Sequence, residues 1–229
     1  MEPLKIVYED ATMLVVEKPE GLDIAEFQKL LKEGYAPSHR LDKETSGLLL
    51  VAKTPEALDF FHQQFKERKV EKKYLCLAVG NIQENEGKVE TLLGRAPGDR
   101  RKQKVFLPGE TAGGEKREAV SEYRVLERFK ARLDSPSSAR RDYTLLEVSP
   151  KTGRKHQIRA QFASLHHPLA GDKLYGFKNQ PTPAGLKRHF LHASYLKIPT
   201  PQGGSKEFIS ELPEDLQKVI ETLHHANQN

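Results

Sequence analysis

An α+β fold, with a mixed, mostly antiparallel sheet and flanking helices, is predicted from three features of this 229-residue chain. Strand-like runs outnumber helical ones. Few βα alternations have the spacing of a doubly wound parallel sheet. No internal repeat, heptad run or low-complexity tract interrupts the pattern. No linker is visible, so residues 1–229 read as one domain.

Residues 6–8 and 13–16 are apolar strands around Glu9-Asp10-Ala11-Thr12, a hairpin, and Lys18-Pro19-Glu20-Gly21 ends the second strand. Residues 25–33 predict a short helix with Phe27, Leu30 and Leu31 on one side and Gly34 as its stop. Residues 47–52 form a continuous apolar run and read as a buried strand. Thr54 then caps a helix with Pro55 in its first turn, and Leu58, Phe61 and Phe65 mark its inner face. Residues 74–79 are strand-like. Between 84 and 114 the Gly, Pro and charge content predicts short strands (89–92 and 104–107) joined by exposed loops. Residues 120–126 and 143–148 are strands separated by Ser135-Pro136-Ser137-Ser138, a turn or loop. Residues 155–165 are helical in pattern, 190–198 and 207–209 are late strands, and 213–224 is a terminal helix with Pro at its start.

Composition narrows the function. Hydrophobic residues are 37% and charged residues 30%, the balance of a polar-surfaced globular protein. The longest apolar stretch, residues 47–52, is far short of the ~20 residues a membrane-spanning helix needs. The N-terminus has no basic region followed by an apolar core, so it does not read as a secretory signal. The lone Cys76 allows no internal disulfide and no cysteine metal cluster. A cytoplasmic protein with no membrane association is expected.

The net charge of +5 hides a segregation. Residues 1–34 hold eight acids and four bases, and residues 206–229 hold five acids and two bases, so residues 35–205 carry +12. Three segments concentrate it: 95–117 with seven bases and three acids, 128–141 with five and one, and 151–159 with four and none. A field of this kind attracts polyanions, nucleic acid above all. Aromatic residues are only 7% and Trp is absent, so a stacking platform for single strands is not evident.

Two segments can carry chemistry. In His39-Arg40-Leu41-Asp42-Lys43-Glu44-Thr45-Ser46-Gly47 a carboxylate stands between cations on a polar loop feeding a buried strand. On its own this is also the composition of an ordinary surface loop. In Pro150-Lys151-Thr152-Gly153-Arg154-Lys155-His156-Gln157-Ile158-Arg159 four cations and a turn precede a helix, a setting for phosphate or carboxylate and equally for a solvated basic face. Tyr74, entering a strand behind Lys72 and Lys73, reads alone as a core ring with a wet hydroxyl. The adjacent pairs His166-His167 and His224-His225 lack HxxxH spacing, so no metal site is expected. No GxxxxGK[ST], GxGxxG or GxSxG run is present, which removes support for ATP, dinucleotide and serine-hydrolase chemistry.

Taken together, these runs resemble the signature of RluA-type pseudouridine synthases: His39-Arg40-Leu41-Asp42, Thr45-Ser46-Gly47-Leu48-Leu49-Leu50-Val51-Ala52, Lys73-Tyr74, Thr152-Gly153-Arg154-Lys155-His156-Gln157-Ile158-Arg159 and His167-Pro168-Leu169-Ala170-Gly171-Asp172, in that order. Val15-Val16-Glu17-Lys18-Pro19-Glu20-Gly21 is similar to that family's opening strand and turn, and Leu191-His192-Ala193 to its late strand. The resemblance implies a pseudouridine-synthase-like fold and isomerisation of uridine to pseudouridine in structured RNA, ribosomal or transfer, with no cofactor. It implies Asp42 as the catalytic aspartate acting at the ribose, Tyr74 as the ring that packs on the base and assists at C5, and Arg159 as the cation that pairs with the aspartate. It also implies Arg40 as a residue holding the flipped nucleotide's place. His39, Arg154 and Lys155 are further expected RNA contacts, and Ile158 and Leu191, with Tyr74, the surface that receives a base drawn out of its stack.

Many members carry an N-terminal RNA-binding module of the S4 type. Here the pattern begins within ten residues of Met1, so the expected RNA affinity comes from the catalytic domain, with segments 95–117 and 128–141 as its source. A monomer is expected. The competing readings are a non-catalytic RNA-binding or ribosome-assembly factor on the same scaffold, and a glycoside- or nucleotide-hydrolysing enzyme. The latter wants a second carboxylate, and nothing marks Glu44 as one.

Overall fold

Alternation along two neighbouring strands decides where the first core forms. β1 (Lys5–Glu9) and β2 (Met13–Lys18) make the expected hairpin, and β2 pairs antiparallel with β4 (Ser46–Ala52). Met13 and Val15 join Leu48, Leu50 and Ala52 in one apolar cluster, while Leu14 and Val16 join Leu49 and Val51 in another. Both faces are therefore covered, which is why residues 47–52 are apolar without alternation. On one face α2 (Pro55–Lys66) supplies Ala57 and Phe61; on the other lie Phe27 of α1 (Ile24–Gln28) and Leu41. The structure, a computed structural model, describes residues 4–106, 110, 114–131 and 141–228.

The helices start where the sequence places them. Thr54 caps α2, its hydroxyl accepting from the Ala57 N–H at 3.2 Å, and Pro55 follows at the first position. Leu58 and Phe65 pack partly buried beside Phe61. α1 ends earlier than predicted. Asp23 and Glu26 form a reciprocal cap at its start, but beyond Gln28 the chain tightens into i→i+3 turns, Leu30 N–H to Phe27 O at 2.9 Å and Leu31 N–H to Gln28 O at 3.2 Å.

The chain divides into two compact units, Met1–Tyr74 with His192–Leu212, and Leu75–Leu191 with Pro213–Asn229. In the first, the strand order is β1-β2-β4-β10, where β10 (Leu191–Pro199) runs parallel to β4 through His192 and Ala193 opposite Ser46 and Gly47. β11 (Ser205–Ile209) pairs antiparallel with β10, and β3 (Ala36–Pro37), a two-residue strand the sequence did not reveal, with β4. At the parallel junction the buried His192 joins two strands' surroundings, its Nε2 3.3 Å from the Ser210 carbonyl and its Nδ1 3.0 Å from the Ser46 hydroxyl.

In the second unit, β5 (Glu71–Val79, from Leu75 onward), β9 (Arg141–Pro150), β8 (Lys116–Ala131), β6 (Glu86–Arg95) and β7 (Gln103–Phe106) lie side by side in that order. The strands of this region are longer than the sequence pattern implied, because many of their positions are charged and exposed, such as Glu118, Glu122 and Arg124 on β8. α3 (Gln157–Ser164) packs Ala160 against Leu93 and Ala119. α4 (Glu214–Gln228) lies on β8, with His224 at 5.3 Å from the Phe129 ring.

The basic segment 95–117 falls largely on the β6–β7 hairpin and the start of β8. Three of its cations meet its three acids: Arg101 with Asp99, Lys104 with Glu110 and Arg117 with Glu115. Exposed pairs of this kind are weak, so the segment's excess positive charge persists at longer range. Residues 132–140, which hold Ser135-Pro136-Ser137-Ser138 and much of the basic segment 128–141, lie outside the described residues. No described helix is long and apolar enough to cross a membrane.

Gly47 is required where β4 meets β10. Its φ is +114°, and a Cβ there would lie 2.7 Å from the Ala193 nitrogen. Gly47→Ala is expected to lower stability by about 2–5 kcal/mol through backbone strain and overpacking, read as an earlier midpoint in denaturant unfolding.

Candidate active site

The loop before β4 carries Asp42, and the sequence around it fixes the loop at both ends. Leu41 is buried and anchors one side in the apolar cluster of Leu14, Leu49 and Val51. The Thr45 N–H closes a turn onto the Asp42 carbonyl at 3.0 Å, and Thr45 and Ser46 are buried. The Lys43 carbonyl accepts from the Gly21 N–H at 2.9 Å and from the Lys18 ammonium at 3.2 Å. Lys18 is only 1% exposed, and its Nζ also donates to the carbonyls of Pro19 at 2.6 Å and Leu22 at 2.9 Å. A buried ammonium thus ties the 19–22 turn to the loop. The Asp42 side chain is half-buried between these fixtures, and the Lys43 side chain turns away to Glu26 at 3.1 Å.

Tyr74 packs against the same cluster as Leu41. Burial pushes its phenol above the ordinary tyrosine value, and the negative charge of Asp42 pushes it further. A phenol so placed stays protonated at neutral pH. Its hydroxyl is therefore a donor.

His39 stands at the loop's other end. Its Nε2 accepts the Leu50 N–H at 3.0 Å, and its ring lies 5.0 Å from Phe65. Burial, and then the positive charge of Lys72, lower its pKa from 6.5 to about 3, so the ring is neutral and one nitrogen is taken up by β4. Lys72 is itself lowered to about 8 by burial. Arg40, between them in sequence, is exposed.

The second group of residues is built around α3. Thr152 accepts from the Val120 N–H at 3.0 Å and donates to Gln157 Oε1 at 2.7 Å, which also accepts from the Arg154 N–H at 3.0 Å. Gln161 receives the Ser121 hydroxyl at 2.7 Å. His156 adopts φ +55°, so the helix starts at Gln157, two residues later than predicted. Arg159, 7% exposed, forms a two-pronged pair with Asp172: Nε to Oδ2 at 2.7 Å and Nη2 to Oδ1 at 2.9 Å. Asp172 Oδ1 also accepts from the N–H groups of Leu174 and Tyr175, and the guanidinium lies 5.1 Å from the Tyr175 ring centre. These bonds and the Arg159 charge outweigh burial and hold the Asp172 carboxyl below its ordinary value.

Asp42, Tyr74, His39 and Arg40 therefore lie in the first unit, and Arg154, Lys155, Ile158, Arg159 and Leu191 in the second. Lys155 is exposed, and Arg154 is half-buried with its Nε donating to the Glu118 carbonyl at 2.9 Å. Ile158 and Leu191, expected to receive a base, are each 5% exposed. The sequence reading assigned no role to Lys18 or Asp172. Both stand inside the motif runs it quoted, and only their burial reveals what they hold.

Two outcomes follow from these pairs. Asp172→Asn leaves a buried guanidinium uncompensated and is expected to cost about 3–5 kcal/mol of stability in denaturant unfolding. His39 has a depressed folded pKa, so its contribution to stability is fully present above its unfolded value of about 6.5 and shrinks as pH falls toward about 3. Wild type is therefore expected to lose more stability than His39→Gln between about pH 7 and about pH 5, measured by unfolding at the two values.

Comparison with known proteins bears on the family. The model of the RNA pseudouridylate synthase family matches residues 12–164. A ribosomal large subunit pseudouridine synthase D from Nitrosomonas europaea is 34% identical over 97% of this chain and 66% of its own length. An uncharacterized RNA pseudouridine synthase from Aquifex aeolicus is 36% identical over 96% of this chain and 73% of its own. The chain spans from 52% to 73% of the length of such curated relatives. Among solved structures, human RNA pseudouridylate synthase domain containing 1 superposes with a TM-score of 0.76 at 29% identity, covering 98% of both chains. By its motifs, its fold and these matches, the chain belongs to the RNA pseudouridylate synthase family.

Proposed function

We propose that this protein isomerises specific uridines in structured RNA to pseudouridine, the chain acting as one catalytic module. The reaction breaks the N1–C1′ bond, turns the uracil and joins C5 to C1′; the C5 hydrogen leaves as a proton and N1 gains one. No net oxidation occurs and no group is transferred between molecules, so the chemistry asks for neither redox cofactor nor nucleotide. Asp42 acts at the ribose, by attack on C1′ or by taking a proton from C2′. Arg159 is the cation that catalytic carboxylate needs, Arg40, His39, Arg154 and Lys155 serve the RNA, and Tyr74 packs on the uracil with its hydroxyl kept protonated. Large-subunit ribosomal RNA is the substrate this reading favours, because relatives from Nitrosomonas and Borreliella carry that name. The proposal includes a monomer working in the cytoplasm.

The observation that carries the reading is that Tyr74 packs on the apolar cluster that Leu41, next to Asp42, anchors. A carboxylate on a clamped loop lies close enough to an aromatic ring to raise its phenol, which puts an anion for the sugar beside a surface for the base. Drawing a base out of its stack costs a few kcal/mol, and an aromatic surface offsets part of that. The +12 of residues 35–205 supplies an attraction to phosphate that weakens with salt.

Release of tritium from RNA labelled at uridine C5 tests the reading. Wild type is expected to release it and Asp42→Ala to stay at background; equal release by both overturns the assignment. Arg159→Lys keeps the charge but not the planar fork, and is expected to lose about 100-fold or more in turnover while RNA affinity changes little.

A further inference from the structure

Segment 173–190, which follows Asp172, presents an aromatic side chain to solvent on a backbone built to hold it there. Phe177 is 53% exposed. The Gly176 N–H donates to the Asp172 carbonyl at 2.9 Å, and the Gln180 N–H to the Phe177 carbonyl at 3.0 Å. Gln180 Nε2 donates to the Leu169 carbonyl at 2.8 Å. Two positions of this turn carry backbone constraints. A Cβ on Gly176 would lie 2.5 Å from the Asp172 carbonyl oxygen, and Asn179 sits at φ +59°, a conformation Asn tolerates better than most residues. The base of the segment is fixed as well: Asp172 is locked by Arg159, and the Tyr175 hydroxyl lies 2.7 Å from the Gln103 N–H and 3.0 Å from His156 Nδ1.

Charge indicates what the ring meets. Residues 173–190 contain four Lys or Arg and no acid. Arg188 is buried and paired with Asp215, but Lys173, Lys178 and Lys187 are exposed and in no ion pair among the described residues. An exposed apolar ring flanked by such cations lacks the covering that a protein core would give it, and it matches the combination that binds unpaired nucleotides: a face for the base and ammonium groups for the phosphates. We infer that Phe177 stacks on an unpaired base of the RNA substrate, with Lys173 and Lys178 meeting the adjoining phosphates, so that this turn selects RNA that carries a single-stranded nucleotide. The inference rests on the proposed RNA isomerase activity.

The experiment compares wild type, Phe177→Ala, Phe177→Trp and Lys178→Glu. Each is titrated with a labelled stem–loop RNA whose loop is unpaired and with a blunt duplex of the same stem, and each is assayed for tritium release from C5-labelled RNA. Phe177→Ala is expected to bind the stem–loop about tenfold more weakly and the duplex as well as wild type does, with KM raised and kcat kept. Phe177→Trp restores the preference for the unpaired loop. Lys178→Glu weakens both RNAs and flattens the salt dependence. Because Phe177 is exposed, thermal midpoints are expected to stay equal. An active wild type whose Phe177→Ala variant keeps the loop preference and KM, or whose Phe177→Trp variant does not restore them, overturns this inference alone. A wild type that binds RNA but releases no tritium overturns the isomerase reading instead.

Discussion

The Lys18 ammonium, sealed from solvent and bonded to the carbonyls of Pro19, Leu22 and Lys43, is the constraint on which the Asp42 loop depends. Burying an ammonium costs several kcal/mol, and charge-assisted hydrogen bonds of roughly 1.5–3 kcal/mol each offset it only when their acceptors stand in the right places. The same bonds that stabilise the cation therefore dictate where the 19–22 turn and the residue after Asp42 must lie. Leu41 anchors the loop from the apolar side, and the Thr45 turn closes it from the strand side. The Asp42 loop is thus positioned by the backbone on either side of it.

A comparable economy operates around α3. This helix buries Gln157, Arg159 and Gln161, residue types that are costly to bury without partners. Each is satisfied by hydrogen bonds to β8, to Thr152 or to Asp172, and the outcome is a polar interior with defined directions rather than an adaptable apolar one. Arg159 thereby carries a permanent cation that Asp172 orients by two bonds, a geometry lysine cannot reproduce. Asp172 in turn fixes the start of the segment that displays Phe177, so a single ion pair sets both the direction of a buried guanidinium and the base of an exposed turn.

Much of this was legible in the sequence wherever the cause is local. Thr54-Pro55 is a helix start by capping chemistry alone, and the solid apolar runs of 13–16 and 47–52 announce strands covered on both faces. The motif runs were enough to indicate the family to which the chain belongs. What stayed hidden depends on distant chain. β3 exists only because Ala36 and Pro37 lie against β4. α3 starts late because His156 takes a left-handed backbone that no side-chain pattern announces. The burial of Lys18 contradicts the usual habit of lysine, and the Asp172 partner of Arg159 lies thirteen residues on, across a turn set by tertiary hydrogen bonds. Ile158 and Leu191 were assigned to a receiving surface from their apolar character; apolar character equally predicts the burial they show.

The central claim is that one carboxylate, held by its loop, performs the chemistry on RNA. The most direct measurement is a map of pseudouridine in cellular RNA, made by carbodiimide-blocked primer extension, in a strain whose only copy of this protein carries Asp42→Asn, an exchange that keeps the side chain's shape and removes its charge. The account predicts that defined pseudouridines present with the wild-type protein disappear while the variant still accumulates as a folded protein. Retention of every pseudouridine in that strain would contradict it.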